Sequence, residues 1–219
     1  MKTILITGGI ASGKTLVSKT LRSMGCPVID ADQIARNVVQ PGSLGLARVL
    51  KAFGSEFQLA DGSLNRRKMR NHIARHKPEQ EKLNRILFPI IRSAIEAELN
   101  KLRQENHQMA FVEAALAIES GSYKTYDTVL LVTAPRAIRM KRLLARDGMT
   151  EPAARGLMDK QMSDEEKSKL ADFILVNDKS PDELIHKVKN WLKDYLEGNS
   201  LKVCEGFKHK AQKLHHEIG

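Results

Sequence analysis

The sequence predicts an α/β fold with a parallel five-stranded sheet flanked by helices, and three observations support that prediction. Five short apolar segments, most of them rich in β-branched residues, are typical of strands that are buried on both faces. Helical patterns alternate with these segments, as they do in parallel sheets. The length of 219 residues suits one such domain with one or two additional lobes.

The elements follow one another in a regular order along the chain. The predicted strands are Thr3–Thr7, Pro27–Ile29, Met109–Glu113, Thr128–Thr133 and Phe173–Val176. The predicted helices next to them are Gly13–Met24, Arg136–Arg146, Glu151–Lys169 and Pro181–Tyr195. Residues 33–107 carry no convincing strand pattern and predict a helical lobe inserted into the sheet domain. Within that lobe, Pro89 should end or kink a helix, because proline lacks a backbone N–H.

Composition excludes several classes of protein. Hydrophobic residues are 42% and charged residues 28%, which is typical of a globular protein and not of a disordered chain, a coiled-coil rod or collagen. The longest apolar stretch, residues 109–118, is interrupted by Glu113 and is too short to cross a bilayer. The N-terminus lacks the pattern of a signal peptide. Since two cysteines make no disulfide framework, we expect a cytoplasmic protein without a membrane partner.

The balance of charge favours anionic partners. Lys and Arg number 36 against 26 Asp and Glu, so the formal net charge is +10. Aromatic residues are only 5%, which leaves few stacking platforms for single-stranded nucleic acid. We therefore expect nucleotides or phosphorylated metabolites as ligands, no nucleic acid, and a monomer or a small homo-oligomer.

Residues 8–15 read Gly-Gly-Ile-Ala-Ser-Gly-Lys-Thr and fit the phosphate-binding pattern G-x-x-x-x-G-K-[ST]. A predicted strand precedes the loop and a predicted helix begins inside it, so backbone N–H groups should form an anion site at a helix N-terminus. Lys14 is expected to reach the β- and γ-phosphates of ATP, and the Thr15 hydroxyl is expected to ligate Mg²⁺. The expected nucleotide-binding residues of the loop are Gly9, Ile10, Ala11, Ser12, Gly13, Lys14 and Thr15.

A switch GTPase is a rival interpretation of this loop. Guanine-binding proteins usually carry Asn-Lys-x-Asp, whereas residues 177–180 here are Asn-Asp-Lys-Ser, with similar letters in another order. The sequence therefore favours an adenine site or a site that does not discriminate between bases.

Two aspartates end the second predicted strand, Asp30 and Asp32. Because ligands of open parallel sheets bind at the carboxyl ends of strands, Asp32 is well placed to accept a proton from an acceptor hydroxyl as a general base. The alternative is that one of these aspartates is the N-cap of the following helix. Both roles can hold, one for each aspartate.

Basic residues form a second candidate group. Arg139, Arg142 and Arg146 lie on one face of a predicted helix and could clamp transferring phosphate oxygens, or they could simply be a solvated face. Arg66 could meet an anionic substrate, or it could be part of a charged helix start. Three histidines near the C-terminus lack a metal-ligand pattern and are interpreted as solvated.

With these motifs assembled, the chain resembles the dephospho-coenzyme A kinases from Thr3 to about Asn190. The segments that carry the resemblance are Thr7–Thr15, Val28–Asp32 with Ile34–Arg36, Ala60–Leu64 with Arg66, Arg142–Gly148, and Ala171–Ile174 with Asn177. Apart from the phosphate loop, each segment alone is a weak signal. Their order and spacing together are specific.

The resemblance implies a kinase core, a helical lobe for the coenzyme A precursor and a small lid. The implied division is a core of residues 1–32, 108–140 and 170–196, a lobe of 33–107, a lid of 141–169 and a frayed or disordered tail of 197–219. The family transfers the γ-phosphate of ATP to the ribose 3′-hydroxyl of dephospho-coenzyme A. The resemblance assigns no role to the tail, and we expect that catalysis does not need it.

Residue roles also follow from the resemblance. Asp32 matches the family's proposed base, Lys14 and Thr15 match its phosphate and magnesium residues, and Arg142 and Arg146 match its lid-side arginines. We expect closure of the lid to bring these two arginines over the ATP.

Three further positions are assigned to ligands. Asn177 matches a position near the adenine. Arg66 and Glu113 are assigned, with Asp32, to binding of the acceptor substrate.

The chain departs from the family pattern at three places. Ala11 replaces a frequent glycine, which is tolerated if its φ angle is negative. Phe88 replaces an expected histidine, and residues 114–118 replace an expected Pro-Leu-Leu core. These departures bear on substrate affinity more than on phosphoryl chemistry, so a kinase for another nucleotide or small hydroxyl compound is the second hypothesis. A nucleotide-binding regulator or RNA-associated protein is the third.

Overall fold

The computed structural model describes residues 1–198, apart from the side chain of Arg75, and contains the predicted sheet. The strands are β1 (Lys2–Thr7), β2 (Val28–Asp30), β3 (Met109–Glu113), β4 (Thr128–Thr133) and β5 (Phe173–Val176). They lie side by side in the order β2-β3-β1-β4-β5. The predicted α/β fold with a parallel five-stranded sheet is therefore confirmed. The predicted tail, residues 197–219, lies outside the described residues except for its first two residues, which end a helix.

Strand β1 occupies the centre of the sheet. Its residue Ile4 lies beside Phe111 of β3 on one side and beside Thr128 of β4 on the other. The side chains of Ile4, Leu5 and Ile6 have no exposed surface, because a central parallel strand is covered on both faces. The loop that follows β1 therefore starts in the middle of the sheet's carboxyl edge, where α/β proteins bind their ligands.

Nine helices accompany the sheet within residues 1–198. They are α1 (Lys14–Ser23), α2 (Ala31–Asn37), α3 (Leu44–Phe53), α4 (Arg66–Arg75), α5 (Lys77–Gln104), α6 (Arg136–Asp147), α7 (Glu151–Asp159), α8 (Asp164–Ser168) and α9 (Pro181–Gly198). Short 3-10 turns occur at Ser55–Phe57 and Ser122–Thr125. No helix of this described part of the chain is both long and apolar enough to span a membrane.

The chain divides into two compact units, and each has its own apolar core. Among the described residues, one unit contains residues 1–29 and 102–198, and the other contains Asp30–Lys101. The buried core of the first unit includes residues of the sheet, α1 and α9: Ile4, Val17, Phe111, Leu130, Leu184 and Leu192. The core of the second unit consists of Val39, Leu46, Val49, Phe53, Phe57, Leu64, Met69 and Leu83. The helical segment between β2 and β3 therefore has an apolar core of its own.

One predicted helix, Glu151–Lys169, is wrong in its extent. It is divided into α7 and α8 by residues 160–163. Ser163 and Glu166 form a capping box, in which Ser163 Oγ accepts from the Glu166 N–H and the Glu166 carboxylate accepts from the Ser163 N–H. Such a reciprocal cap satisfies backbone donors at a helix start, so a new helix begins here.

Of the two alternatives expected at Pro89, an end of the helix is not found, because α5 continues through it, and a kink stays a prediction. A proline inside a helix removes one backbone hydrogen bond and costs about 3 kcal/mol. Packing of α5 through buried side chains such as Leu83 and Leu99 offsets that local penalty, since most helical stability in proteins comes from packing.

A buried ion pair connects α8 to the segment between β3 and β4. Lys167 Nζ lies 2.7 Å from Glu119 Oε1, and the Lys167 side chain has no exposed surface. The Glu119 side chain is 20% exposed. Because an ammonium group out of water needs a counter-charge, this pair fixes the position of α8 against the sheet unit.

We expect Lys167→Met to lower the free energy of unfolding by about 3 kcal/mol, because it leaves the Glu119 carboxylate mostly buried without its cation. Lys169→Met is the matched control, since the Lys169 side chain is 70% exposed in its ion pair with Glu165. The control should change stability by less than about 0.5 kcal/mol. Urea denaturation of the two variants measures the difference, and equal midpoints would contradict the assignment.

Candidate active site

The phosphate-binding loop joins β1 to the first turn of α1. The first backbone N–H groups of a helix have no partner within the helix, and they carry the positive end of its dipole. Gly13 precedes α1 with a φ angle of 109°, which side chains rarely adopt. A Cβ atom here would also collide with the side-chain amide of Asn177. The loop therefore requires glycine at this position, and its backbone can bind an anion at the start of α1.

Lys14 folds back across this loop. Its Nζ donates to the carbonyl oxygens of Gly8, at 2.8 Å, and Gly9, at 2.9 Å. The ammonium charge is thus held beside the backbone of the predicted phosphate loop. From this position it can form charge-assisted hydrogen bonds to phosphate oxygens.

The backbone φ angle of Ala11 differs from the negative value that would tolerate alanine at this position. Its φ angle is 58°, so the condition of a negative φ angle is not met. A side chain in this left-handed region costs roughly 1–2 kcal/mol, because Cβ approaches the following carbonyl oxygen. The loop therefore contains a strained residue that neighbouring contacts must hold.

Asn177 contacts the backbone of the loop through its side chain. The side chain is 5% exposed, and its Nδ2 donates to the Ser12 carbonyl at 2.8 Å. Its Oδ1 accepts from Arg142 at 3.1 Å, and Arg142 also donates to the Ala11 carbonyl at 3.4 Å. The structure thus brings Asn177 and Arg142 together on the backbone of the loop, a contact that the sequence did not predict for either residue.

The three arginines of α6 have different environments, so the predicted common face is divided. Arg139 is buried and donates to the Ile10 carbonyl. Arg146 is exposed and pairs with Asp147 at 2.7 Å. The hydrogen bond between these two neighbours raises the pKa of Arg146 and lowers the pKa of Asp147 from their ordinary values. Arg142 and Arg146, predicted to act together, contact different partners.

Two polar residues that contact the loop network were missed at the sequence level. Gln161 Oε1 accepts from the Ile10 N–H at 2.7 Å. Asp164 accepts from Arg139 with both carboxylate oxygens at 3.0 Å. Both residues lie at the break between α7 and α8, far from the loop in sequence, and no local pattern marks them.

A cavity of about 680 Å³ is lined by Arg139 and Gln161, which both contact the loop. Arg136 also lines it, together with four carboxylate side chains, those of Asp159, Asp164, Glu165 and Glu166. Because carboxylates repel a polyphosphate, this cavity is a poor phosphate site. The loop and the N-terminus of α1 remain the place for an anion.

The other predicted site residues belong to different places in the fold. Thr15 is an exposed residue in the first turn of α1, and Glu113 is the last residue of β3. In the helical unit, Arg66 at the start of α4 donates to the Arg36 carbonyl at 3.0 Å.

The structure also distinguishes Asp30, the last residue of β2, from Asp32. Asp30 is the N-cap of α2, because its side chain accepts from the Gln33 N–H at 2.8 Å. Asp32 lies within the first turn of α2 and is not the cap.

Comparison with known proteins agrees with this architecture. Residues 2–183 match the family model described as dephospho-CoA kinase. The chain is 34% identical to a dephospho-CoA kinase of Anaeromyxobacter dehalogenans, over 93% of this chain and 96% of the relative. It is 36% identical to a dephospho-CoA kinase of Geobacter sulfurreducens, over 89% of this chain and the whole relative.

Solved structures give the same result at the level of the fold. TT1252 from Thermus thermophilus matches with a TM-score of 0.76 and 30% identity, over 88% of this chain and 97% of that one. Dephospho-CoA kinase from Campylobacter jejuni matches with a TM-score of 0.70 and 28% identity, over 91% of this chain and all of that one. A sheet with a phosphate loop after its central strand, together with matches over most of the chain, places this protein in the dephospho-CoA kinase family.

Proposed function

We propose that this chain transfers the γ-phosphate of ATP to the ribose 3′-hydroxyl of dephospho-coenzyme A, which gives coenzyme A and ADP in the last step of coenzyme A synthesis. The observation that carries the proposal is the loop of residues 8–15, with the Lys14 ammonium held against its backbone at the N-terminus of α1. Membership of the dephospho-CoA kinase family over residues 2–183 supports the choice of acceptor.

Catalysis of phosphoryl transfer rests on positioning and on neutralising charge. The loop's N–H groups and Lys14 stabilise the negative charge on the phosphate oxygens. The carboxylate of Asp32 takes the proton of the 3′-hydroxyl while that oxygen bonds to the γ-phosphorus, and the bond from phosphorus to the leaving ADP oxygen breaks. The support for Asp32 is that it follows β2 by two residues, and carboxyl ends of parallel strands share one edge.

Thr15 fits the expected role of binding Mg²⁺ together with the phosphates of the nucleotide. Its side chain is exposed at the start of α1 and offers a hydroxyl oxygen, the donor type that Mg²⁺ prefers. No cluster of three or more His, Cys, Asp or Glu side chains suited to a metal occurs within residues 1–198. The ion would therefore be held by Thr15, the phosphates and water, and would supply charge neutralisation.

The remaining predicted residues have proposed roles of different kinds. Arg142 can reach phosphate oxygens from its position on the Ala11 carbonyl, and Asn177 holds the loop in shape for the nucleotide. Arg146 is proposed to meet phosphate only after leaving Asp147. Arg66 and Glu113 are proposed to bind the acceptor.

The proposed lid, residues 141–169, is expected to move only in part. The buried pairs Lys167–Glu119 and Arg139–Asp164 hold α8 in place. Gly148, which has a left-handed backbone, ends α6, and residues 160–163 separate α7 from α8. Movement is therefore expected of residues 148–160, which contain α7.

Limited trypsin digestion tests this movement. Cleavage at the exposed Arg155 of α7 should slow at least threefold when ATP and dephospho-coenzyme A are added, because closure orders the segment and excludes water. Cleavage at the exposed Lys169, just after α8, is the internal control and should change much less. Equal protection at both positions, or none at either, would contradict a lid limited to α7.

The proposed reaction is tested by ADP release in the presence of Mg²⁺ and different acceptors. We expect release to depend on dephospho-coenzyme A and to stay near background with adenosine, nucleoside monophosphates or RNA. Phosphorylation at the 3′-position is confirmed by the mass and fragmentation of the product. A comparable rate with a nucleoside monophosphate would instead establish a kinase of another specificity.

A further inference from the structure

Ile10, in the middle of the phosphate loop, is held by two side chains from outside the loop. Its N–H donates to Gln161 Oε1 at 2.7 Å, and its carbonyl accepts from Arg139 Nε at 2.9 Å. Gln161 lies between α7 and α8, and Arg139 lies on α6. The orientation of the backbone on both sides of Ile10 is thus determined by residues more than a hundred positions away in sequence.

The positive charge of Arg139 is paired with a carboxylate of the same chain. The residue is 6% exposed, and its NH1 group donates to both carboxylate oxygens of Asp164 at 3.0 Å. A guanidinium that is buried and paired in this way is not available to clamp a phosphate. Its remaining interaction is with the loop: a Cβ atom at Gly9 would collide with the Arg139 guanidinium, so the two pack in direct contact.

The backbone that Arg139 holds is the one that requires support. The carbonyl of Ile10 belongs to the peptide unit that leads into Ala11, whose φ angle is 58°. An alanine tends to leave this left-handed conformation, because it is disfavoured for every residue with a side chain. A charge-assisted hydrogen bond on the preceding carbonyl opposes that relaxation.

We infer that Arg139, neutralised by Asp164, is a positioning residue that holds the Ile10–Ala11 peptide in the conformation in which the loop binds nucleotide phosphates. The inference rests on the proposed binding of ATP by this loop, but not on the identity of the acceptor. Arg139 acts through the backbone and touches no reacting atom. Gln161 holds the neighbouring N–H in the same way.

The test compares Arg139→Met with Arg136→Met. Arg136 lies one turn earlier on α6 and forms an ion pair with Asp159, in which its side chain is 54% exposed. The two variants therefore remove the same charge from the same helix, one from the loop contact and one from the surface. Calorimetric titration with ADP, without any acceptor, measures the dissociation constant, and thermal unfolding without nucleotide measures stability.

We expect Arg139→Met to weaken ADP binding about tenfold and Arg136→Met to change it less than about twofold, since a hydrogen bond from a charged donor is lost only in the first. The KM for dephospho-coenzyme A should stay within about twofold in both variants. If Arg139→Met does not fold, Arg139→Lys takes its place. A lysine keeps the charge near Asp164, but its one ammonium group cannot reproduce the guanidinium contacts to both partners.

A measurement in the Ala11→Gly background distinguishes a positioning role of Arg139 from a purely structural role. Glycine adopts the left-handed conformation freely, so the loop no longer depends on Arg139 to remain in it. In the Ala11→Gly background, the loss of ADP affinity caused by Arg139→Met should shrink from about tenfold to about threefold or less. An undiminished tenfold loss in that background would overturn the inference, as would equal ADP affinities of Arg139→Met and Arg136→Met.

The outcome also separates this inference from the proposed function. If the unmodified chain binds ADP but does not phosphorylate dephospho-coenzyme A, the proposed acceptor is wrong and the positioning role is still tested by the ADP titrations. If the unmodified chain binds neither ADP nor ATP, the positioning role is overturned together with the nucleotide site.

Discussion

Replacing Lys14 by alanine is expected to lower kcat/KM for ATP by about 10³-fold, the largest effect of any single substitution considered for this chain. Lys14 Nζ lies within 2.9 Å of two carbonyl oxygens of the loop, so its charge is placed where phosphate oxygens bind. Loss of the ammonium removes charge-assisted hydrogen bonds that strengthen as the γ-phosphoryl group transfers. Steady-state ADP release at varied ATP concentration measures the effect.

The control for this prediction is Lys19→Ala. Lys19 is an exposed lysine of the same helix α1, one and a half turns beyond Lys14. This variant removes an equal charge at a distance from the loop, and it should retain activity within about twofold. Because Lys14 also contacts the loop backbone, thermal unfolding of both variants must show that they are folded. Unchanged turnover in folded Lys14→Ala protein would refute the assignment of the phosphate loop.

The second large effect is expected from Asp32→Asn, with kcat reduced about 10²-fold or more and ATP affinity near that of the unmodified chain. Asparagine keeps the shape of aspartate and one acceptor oxygen, but it cannot take the proton of the 3′-hydroxyl. The expected split between kcat and ATP affinity follows, because the lost interaction forms only as the hydroxyl oxygen attacks phosphorus. Pre-steady-state product formation and ATP titration measure the two quantities separately.

Asp30→Asn is the matched control for this substitution. Asp30 caps α2 through a 2.8 Å hydrogen bond from the Gln33 N–H, and asparagine caps helices as well as aspartate does. This variant should therefore keep its stability within about 0.5 kcal/mol and its kcat within about twofold. Equal kcat values of the Asp30→Asn and Asp32→Asn proteins would remove Asp32 from the mechanism. Glu113, at the end of β3, would then be the next candidate base.

The strands β1, β3 and β4 could be predicted from sequence because they are buried on both faces. Segments such as Met109–Glu113 and Thr128–Thr133 are almost continuously apolar, and the structure has the same bounds. The helices were harder to delimit, because their ends depend on caps and on packing. The Ser163–Glu166 capping box divides α7 from α8, and α5 continues through Pro89 because its packing outweighs the local cost.

The sequence by itself was enough to predict the phosphate loop, because such a loop is local: the glycines, Lys14 and the start of α1 are consecutive in the chain. It could not assign Arg139, since the same helical spacing is compatible with a solvated face, a phosphate clamp or a buried pair. Only the tertiary structure decided among these, by bringing Ile10, Arg139 and Asp164 together from the loop after β1, α6 and α8. The physical reason is that hydrogen bonds between distant segments depend on how the segments pack, and no short sequence pattern records that packing.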